Sequence, residues 1–323
     1  MLENTLLFTL SANKELGRKV GDLLEQPVYN VEVKKFPSGE IIVEPPFSVR
    51  NKNIFIIQST CPPVNENLFE LFVFIDALKR SSAGTINLVV PYFGYARQDR
   101  KAKPRQPITS RLVADLLVTA GCHRIIILDL HAPQIQGFFN CLVDELTAIP
   151  LLSKTLQDDK SINKDNVVIV SPDHGGVNRV RKVAEYLDAP IAIIDKRRNE
   201  KNEPEAMNII GNVVGKDCIM VDDMVDTAGS AVVACKALKA AGAKKIYLCA
   251  THPVFSNPAA ERLSHGDFEK IFVTDSIPLS DEIKNLGIVK VVSLSNMIAE
   301  IIKRIENGDP LSVVYDMYVK VQN

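Results

Sequence analysis

Short runs of β-branched and other apolar residues alternate along the chain with longer segments whose apolar positions recur at helical spacing. That alternation predicts an α/β protein with mostly parallel strands. NIFIIQ (Asn53–Gln58) reads as a buried strand. Pro63 to Ser81 reads as a helix, with Leu68, Leu71, Phe72, Ile75 and Leu78 on one face. TINLVVPY (Thr85–Tyr92), a helix over Pro107–Gly121 and the strand RIIILDLH (Arg124–His131) follow. A proline break near Pro150 precedes a second series: NVVIVSPD, a helix over 176–187, PIAIIDK, DCIMVDD, a helix over 229–241, and KIYLCATH. A helix near Ser295–Ile305 and the run LSVVYD close the pattern. The expected domains are 1–147 and 148–300, with 301–323 as a C-terminal segment packing back on the first.

Length agrees with two domains, since 323 residues exceed what one core usually serves. Charge narrows the partners. With 38 Lys+Arg against 39 Asp+Glu, nothing pulls the chain as a whole toward nucleic acid or an acidic membrane. Any anion site must be local. The 6 cysteines form no C-x-x-C pair and no zinc spacing, and four of them lie in apolar stretches. A reducing compartment fits this usage. The N-terminus lacks the marks of a secretory signal, and no apolar stretch is long enough to span a bilayer, so a cytoplasmic location is expected. No G-x-G pair is present, which disfavours a dinucleotide fold. GNVVGK (Gly211–Lys216) has too few residues between its glycines for a P-loop and reads as a turn.

Four segments carry candidate chemistry. In IMVDDMVDTAGS (Ile219–Ser230) an apolar strand meets Asp222 and Asp223. Asp226, Thr227, Ala228, Gly229 and Ser230 then bring small side chains and backbone N–H groups to a helix N-terminus, which suits a phosphate. Taken alone, the loop also reads as an acidic N-cap. PYFGYARQDRKAKPRQP holds Arg97, Arg100, Lys101, Lys103 and Arg105 against Asp99, a local trap for a polyphosphate. Asp129 and His131, two residues apart in a strand, are expected on one face, where they could hold a divalent ion or a phosphate. IDKRRNEKNEPEAMN (Ile194–Asn208) starts as a strand and becomes a charged loop.

These segments, with FPSGE (Phe36–Glu40), DLHAPQIQGFF (Asp129–Phe139), SPDHGGVNR (Ser171–Arg179) and ATHPVFS (Ala250–Ser256), resemble the ribose-phosphate pyrophosphokinase family in order and combination. The resemblance implies two tandem α/β domains similar to the type I phosphoribosyltransferase fold, each a mostly parallel sheet flanked by helices. It implies transfer of the diphosphoryl group of ATP to the anomeric hydroxyl of ribose 5-phosphate. It places ATP on Phe36, Ser38, Gly39, Glu40, Arg97 and Gln98, and ribose 5-phosphate on Arg198, Asp222, Asp223 and the loop Asp226, Thr227, Ala228, Gly229 and Ser230. Mg²⁺ falls to His131, Asp173 and Asp129, and catalysis to Lys196 and Arg198 on a flexible loop. A homohexamer responsive to phosphate and ADP is implied, with neither nucleic acid nor membrane as partner. The family usually carries Asp where Ser38 stands and often an acid at Asn140. A phosphoribosyltransferase and a non-catalytic regulatory homologue are the alternatives.

Overall fold

A computed structural model describes the backbone of residues 4–198 and 204–318, and within these the side chains outside 196–207. The chain divides into two units. Among the described residues, the first takes 4–147, 276–278 and 293–314, and the second takes 148–275, 279–292 and 315–318.

The first unit is built from β1 (Thr5–Thr9), α1 (Lys14–Leu24), β2 (Val28–Asn30), β3 (Val33–Lys35), β4 (Ile41–Val43), β5 (Asn53–Ile57), α2 (Val64–Arg80), β6 (Thr85–Val90), α3 (Thr109–Ala120), β7 (Arg124–Leu128) and β8 (Leu142–Leu146). Six strands form one parallel sheet in the order β2-β1-β5-β6-β7-β8, and β3 and β4 form a separate antiparallel hairpin. A sheet covered on both faces needs strands apolar throughout, which is why NIFII and TINLVV carry so few polar residues. Ile54, Ile56, Leu88, Val90, Ile125 and Ile127 pack there with Leu71, Phe74 and Leu78 of α2 and Leu117 of α3. Each such side chain contributes about 1.5–3 kcal/mol by leaving water.

The second unit runs α4 (Ile149–Asp158), β9 (Val167–Ser171), α5 (Val177–Leu187), β10 (Ile191–Arg198), β11 (Pro204–Ile210), β12 (Asp217–Val225), α6 (Gly229–Ala240), β13 (Lys245–Pro253), α7 (Ala259–Ser264), β14 (Lys270–Thr274), α8 (Asp281–Lys284) and β15 (Val289–Val292). Its seven strands are ordered β11-β10-β9-β12-β13-β14-β15, all parallel except β11. GNVVGK is the turn between β11 and β12, with Gly211 and Gly215 at φ of 115° and 69°. Pro150 does not break the pattern; it lies in the first turn of α4, where its missing N–H costs nothing.

The last helix, α9 (Ser295–Asn307), belongs to the first unit. Glu306 Oε2 accepts hydrogen bonds from Thr5 Oγ1 and, at 3.2 Å, from Asn53 Nδ2. The chain therefore rejoins this unit at residue 293, upstream of the 300/301 division read from the sequence.

Candidate functional site

In the second sheet the strand order reverses between β9 and β12, and ligands of open α/β sheets bind at the carboxyl ends of such strands. Two loops meet this condition, Pro172–Gly176 after β9 and Asp226–Ala228 after β12. The second is built to receive an anion. Ala228, at the N-cap of α6, adopts a left-handed φ of 57° and provides no side-chain cap, and the first turn carries no acid. The first-turn N–H groups and the positive end of the helix dipole thus meet neither a cap from Ala228 nor an acid within the first turn. Arg262 Nη1 donates to Thr227 O at 3.0 Å and fixes the loop from outside. A Cβ on Gly229 would come within 3.0 Å of that guanidinium.

Asp222 and Asp223 end the apolar part of β12. Asp223 is buried and Asp222 half-buried, and Arg179 of α5 reaches both, with Nη1 3.5 Å from Asp223 Oδ1 and 3.7 Å from Asp222 Oδ1. Burial first, and the Asp223 carboxylate next, push the Asp222 carboxyl well above the usual range, while Arg179 pulls against them. The pair therefore shares a proton near neutral pH.

The loop after β9 is rigid for a different reason. Asp173 Oδ1 accepts from Gly176 N–H at 3.0 Å, and Ser171 Oγ donates to Asp173 O at 2.6 Å. Asp173 is nonetheless exposed, so a second carboxylate oxygen remains for a ligand. The neighbouring His174 pairs through Nε2 with Asp195 Oδ1 at 3.0 Å, one residue before Lys196. The side chains of Lys196 and Arg198 lie outside the described residues; their backbone belongs to β10, paired with β11.

The first unit holds the remaining candidates. Phe36, Ser38, Gly39 and Glu40 form the turn of the β3–β4 hairpin, closed by Phe36 N–H to Glu40 O and Gly39 N–H to Phe36 O, both at 2.8 Å. Gly39 sits at φ 92°, which an L side chain rarely adopts. Phe36 is 48% exposed, an aromatic face available to a flat ring. Ser38 Oγ donates to Glu40 Oε2 at 2.7 Å; an Asp here would instead set two carboxylates together. Beside the hairpin a cleft of about 460 Å³ is lined by Ser11, Lys35, Glu40, Asn65 and Phe69 among others.

Arg97 and Gln98 follow β6 and are exposed, as are Arg100, Lys101, Lys103 and Arg105. Gln98 is held by its backbone, N–H to Tyr95 O at 2.8 Å, and its Oε1 accepts from Thr109 Oγ1 at 2.5 Å. The expected convergence of Asp129 and His131 on one strand face is not observed. The strand ends at Leu128, and Asp129 turns the chain with φ 41°, so two-residue alternation no longer applies. Asp129 is buried and accepts from Thr147 Oγ1 at 2.6 Å, whereas His131 is exposed.

Among the described residues, no group of three His, Cys, Asp or Glu side chains could hold a metal ion. Sparse ligation still suits Mg²⁺, which keeps water and substrate oxygens for most of its shell. The exposed Asp173 carboxylate fits that demand, and His131 is open to the same solvent-facing role. Asp129 fits it less well, its carboxylate already engaged by Thr147.

An open helix N-terminus at a switch point, beside paired carboxylates, is the arrangement of α/β proteins that bind phosphorylated ligands. Comparison with known proteins narrows the class. Residues 5–121 match the N-terminal domain of ribose phosphate pyrophosphokinase, and residues 196–316 match the phosphoribosyl synthetase-associated domain. A ribose-phosphate pyrophosphokinase of Fusobacterium nucleatum is 48% identical over 97% of this chain and 98% of its own. Ribose-phosphate pyrophosphokinase 2 of Enterococcus faecalis is 51% identical over 96% and 95%. The crystal structure of phosphoribosylpyrophosphate synthetase from Mycobacterium smegmatis superposes with a TM-score of 0.88 at 38% identity, covering 94% of this chain and 99% of that one. The chain belongs to the ribose-phosphate pyrophosphokinase family, and it is an enzyme.

Proposed function

We propose that the enzyme transfers the diphosphoryl group of ATP to the anomeric hydroxyl of ribose 5-phosphate, giving phosphoribosyl pyrophosphate and AMP. The observation that carries this reading is the uncapped α6 N-terminus beside Asp222, kept in a chain that matches the family along 97% of its length. The 5-phosphate is assigned to the N–H groups of Asp226–Ser230 and the sugar hydroxyls to Asp222, with Asp223 behind it. Exposed Phe36 stacks on the adenine, Ser38, Gly39 and Glu40 border the nucleotide, and Arg97 and Gln98 hold its phosphates. In-line displacement at the β-phosphorus asks for positioning and charge neutralisation rather than a covalent intermediate. Lys196 and Arg198 are assigned to the charge that develops on the transferring phosphoryl oxygens.

Mg²⁺ belongs to the same proposal, with Asp173, His131 and Asp129 each a candidate ligand, and when bound it supplies neutralisation of polyphosphate charge. A homohexamer with phosphate and ADP as effectors is the assembly we assign, in the cytoplasm. No helix among the described residues is long and apolar enough to cross a membrane.

The test is incubation of the purified protein with ATP, ribose 5-phosphate and Mg²⁺, with AMP and the sugar product followed by chromatography. AMP release that depends on the sugar is expected. Folded protein that binds ATP but yields no sugar-dependent AMP would overturn the reading and leave a regulatory homologue.

A further inference from the structure

The two cysteines at the starts of β7 and β8 lie on facing backbone. Arg124 and Leu142 are register partners in the parallel pair, and Leu142 N–H donates to His123 O at 3.2 Å, which carries the pairing one residue upstream. Cys122 and Cys141 are therefore one strand apart and offset by a single residue. Both lie just upstream of their strands, and both side chains pack in the same apolar cluster, which puts the two thiols on one side of the sheet.

The sulfurs converge as well. Cys122 Sγ sits 3.2 Å from Arg124 O and Cys141 Sγ 3.6 Å from Leu142 O, carbonyls of that facing pair, and the two thiols are near enough to perturb each other's titration. Cys122 is buried and Cys141 half-buried, so one thiol meets solvent and the other waits behind it.

We propose that Cys122 and Cys141 form a peroxide-sensitive thiol pair that closes reversibly to a disulfide, with Cys141 attacking first and Cys122 resolving. The Cys141 thiolate attacks one peroxide oxygen and the O–O bond breaks; the sulfur becomes a sulfenic acid and hydroxide leaves, taking a proton as water. The Cys122 sulfur then attacks the sulfenic sulfur. The S–S bond forms, the S–O bond breaks, and the departing hydroxide takes the Cys122 proton as a second water. Two thiols lose one electron each and the peroxide gains two. A dithiol reverses the reaction.

The environment sets the order of attack. The neighbouring Cys122 thiol and the Arg124 guanidinium hold the Cys141 thiol below its ordinary range against the cost of burial, whereas Cys122 is pushed far up by its partner and by burial. The other cysteines offer no comparable nucleophile. Burial pushes Cys61 and Cys235 up to about 11 and Cys218 up to about 12, and Cys249 is buried. The ring closed by the disulfide contains β7, Asp129, His131 and the short 3-10 helix Pro133–Phe138, so oxidation would staple the segment that carries His131 at both its ends.

The test is brief exposure of the full-length protein to hydrogen peroxide, alkylation of free thiols, and peptide mapping by mass spectrometry. The expected product is a peptide pair joined through Cys122 and Cys141, released by dithiothreitol, with the other four cysteines alkylated. In Cys122→Ser, dimedone should trap a sulfenic acid at Cys141; in Cys141→Ser, Cys122 should resist both oxidation and dimedone. Oxidation spread evenly over the six cysteines would overturn the proposal. So would a Cys141–Cys141 link between chains, or untouched Cys122 and Cys141 in the unsubstituted protein.

Discussion

Asp222 offers a sharp check on the electrostatics of the proposed sugar-phosphate site. Its carboxyl is pushed up to about 8, first by burial and next by the Asp223 carboxylate, against the pull of Arg179. The folded protein thus binds this proton more tightly than the unfolded chain, whose Asp titrates near about 3.9. Between these values the native state carries more protons than the unfolded state, so stability falls as pH rises from about 4 to about 8 and is level on either side. Undiscounted, each pH unit would be worth about 1.4 kcal/mol. The Asp222 side chain is 36% exposed, however, and solvent screens it, so about 1–2 kcal/mol in total is the realistic span. Asp222→Asn keeps the shape and removes the titration. Thermal melts of parent and variant at pH 5, 7 and 9 should lie closest at pH 5, where only about a quarter of the loss has accrued. At pH 9 the variant should melt about 2–8 °C higher, taking about 2–4 °C per kcal/mol for a unit of this size. A difference independent of pH, or a variant less stable at pH 9, would refute the assignment of a shared proton to the pair.

Three further outcomes follow from other contacts. Asp159, buried and 2.9 Å from Lys270 and 3.3 Å from Lys290, would be raised by burial alone, but hydrogen bonds from Ser161 and both lysines hold it well below the carboxylate range. Its stabilisation is fully present above about pH 4 and lost progressively as pH falls further, and Asp159→Asn should cost about 2–3 kcal/mol in urea titrations at pH 7 and measurably less at pH 2–3. Gly211, at φ 115° with a Cβ position 2.9 Å from the Ala192 side chain and 3.0 Å from its backbone, should lose about 1–3 kcal/mol on substitution by Ala, read as a lowered melting temperature. Lys196→Ala and Arg198→Ala should each reduce kcat by about 10²–10³ with the melting temperature within a degree or two of the parent; near-parental kcat would remove both from the chemistry.

The strands that positioned the chemistry were the ones the sequence displayed. β5, β6, β7, β9, β12 and β13 are buried on both faces and read as uninterrupted apolar runs. The hairpin β3–β4 gave no such signal, because its strands have three residues each and are largely exposed or half-buried. α4 was hidden by Pro150, which resembles a break until the helix is seen to begin at Ile149. The placement of α9 in the first unit rests on Glu306 reaching Thr5 and Asn53, partners some 250 to 300 residues away that no local pattern encodes. Arg179 was missed for the same reason: its partners Asp222 and Asp223 lie 43 and 44 residues downstream, on a different element. The Asp129–His131 expectation failed on a single dihedral, since alternation holds only while the backbone stays extended.

The two units repeat one topology but differ at the loop that follows the matching strand beside each switch point. Reading β2-β1-β5-β6-β7-β8 against β10-β9-β12-β13-β14-β15 aligns β5 with β12 and therefore α2 with α6. After β12 the chain supplies Asp226–Ser230 and an uncapped helix with no acid in its first turn. After β5 it supplies Ser59, Thr60, Cys61, Pro62 and Pro63, and the first turn of α2 carries Glu66. Two prolines remove the N–H groups an anion would need, and Glu66 places negative charge where the phosphate would sit. Gln58, which ends the same segment, is turned inward, donating through Nε2 to Glu70 at 3.3 Å and accepting at Oε1 from Ala12 N–H at 3.1 Å. The first unit has thus filled its switch point with its own polar side chains. Its exposed basic residues instead follow β6, and its exposed aromatic lies on the β3–β4 hairpin. On the proposed reading, a polyphosphate nucleotide can use a spread of flexible cations and a flat ring, whereas a compact 5-phosphate on a small sugar suits the converging N–H groups at the α6 N-terminus.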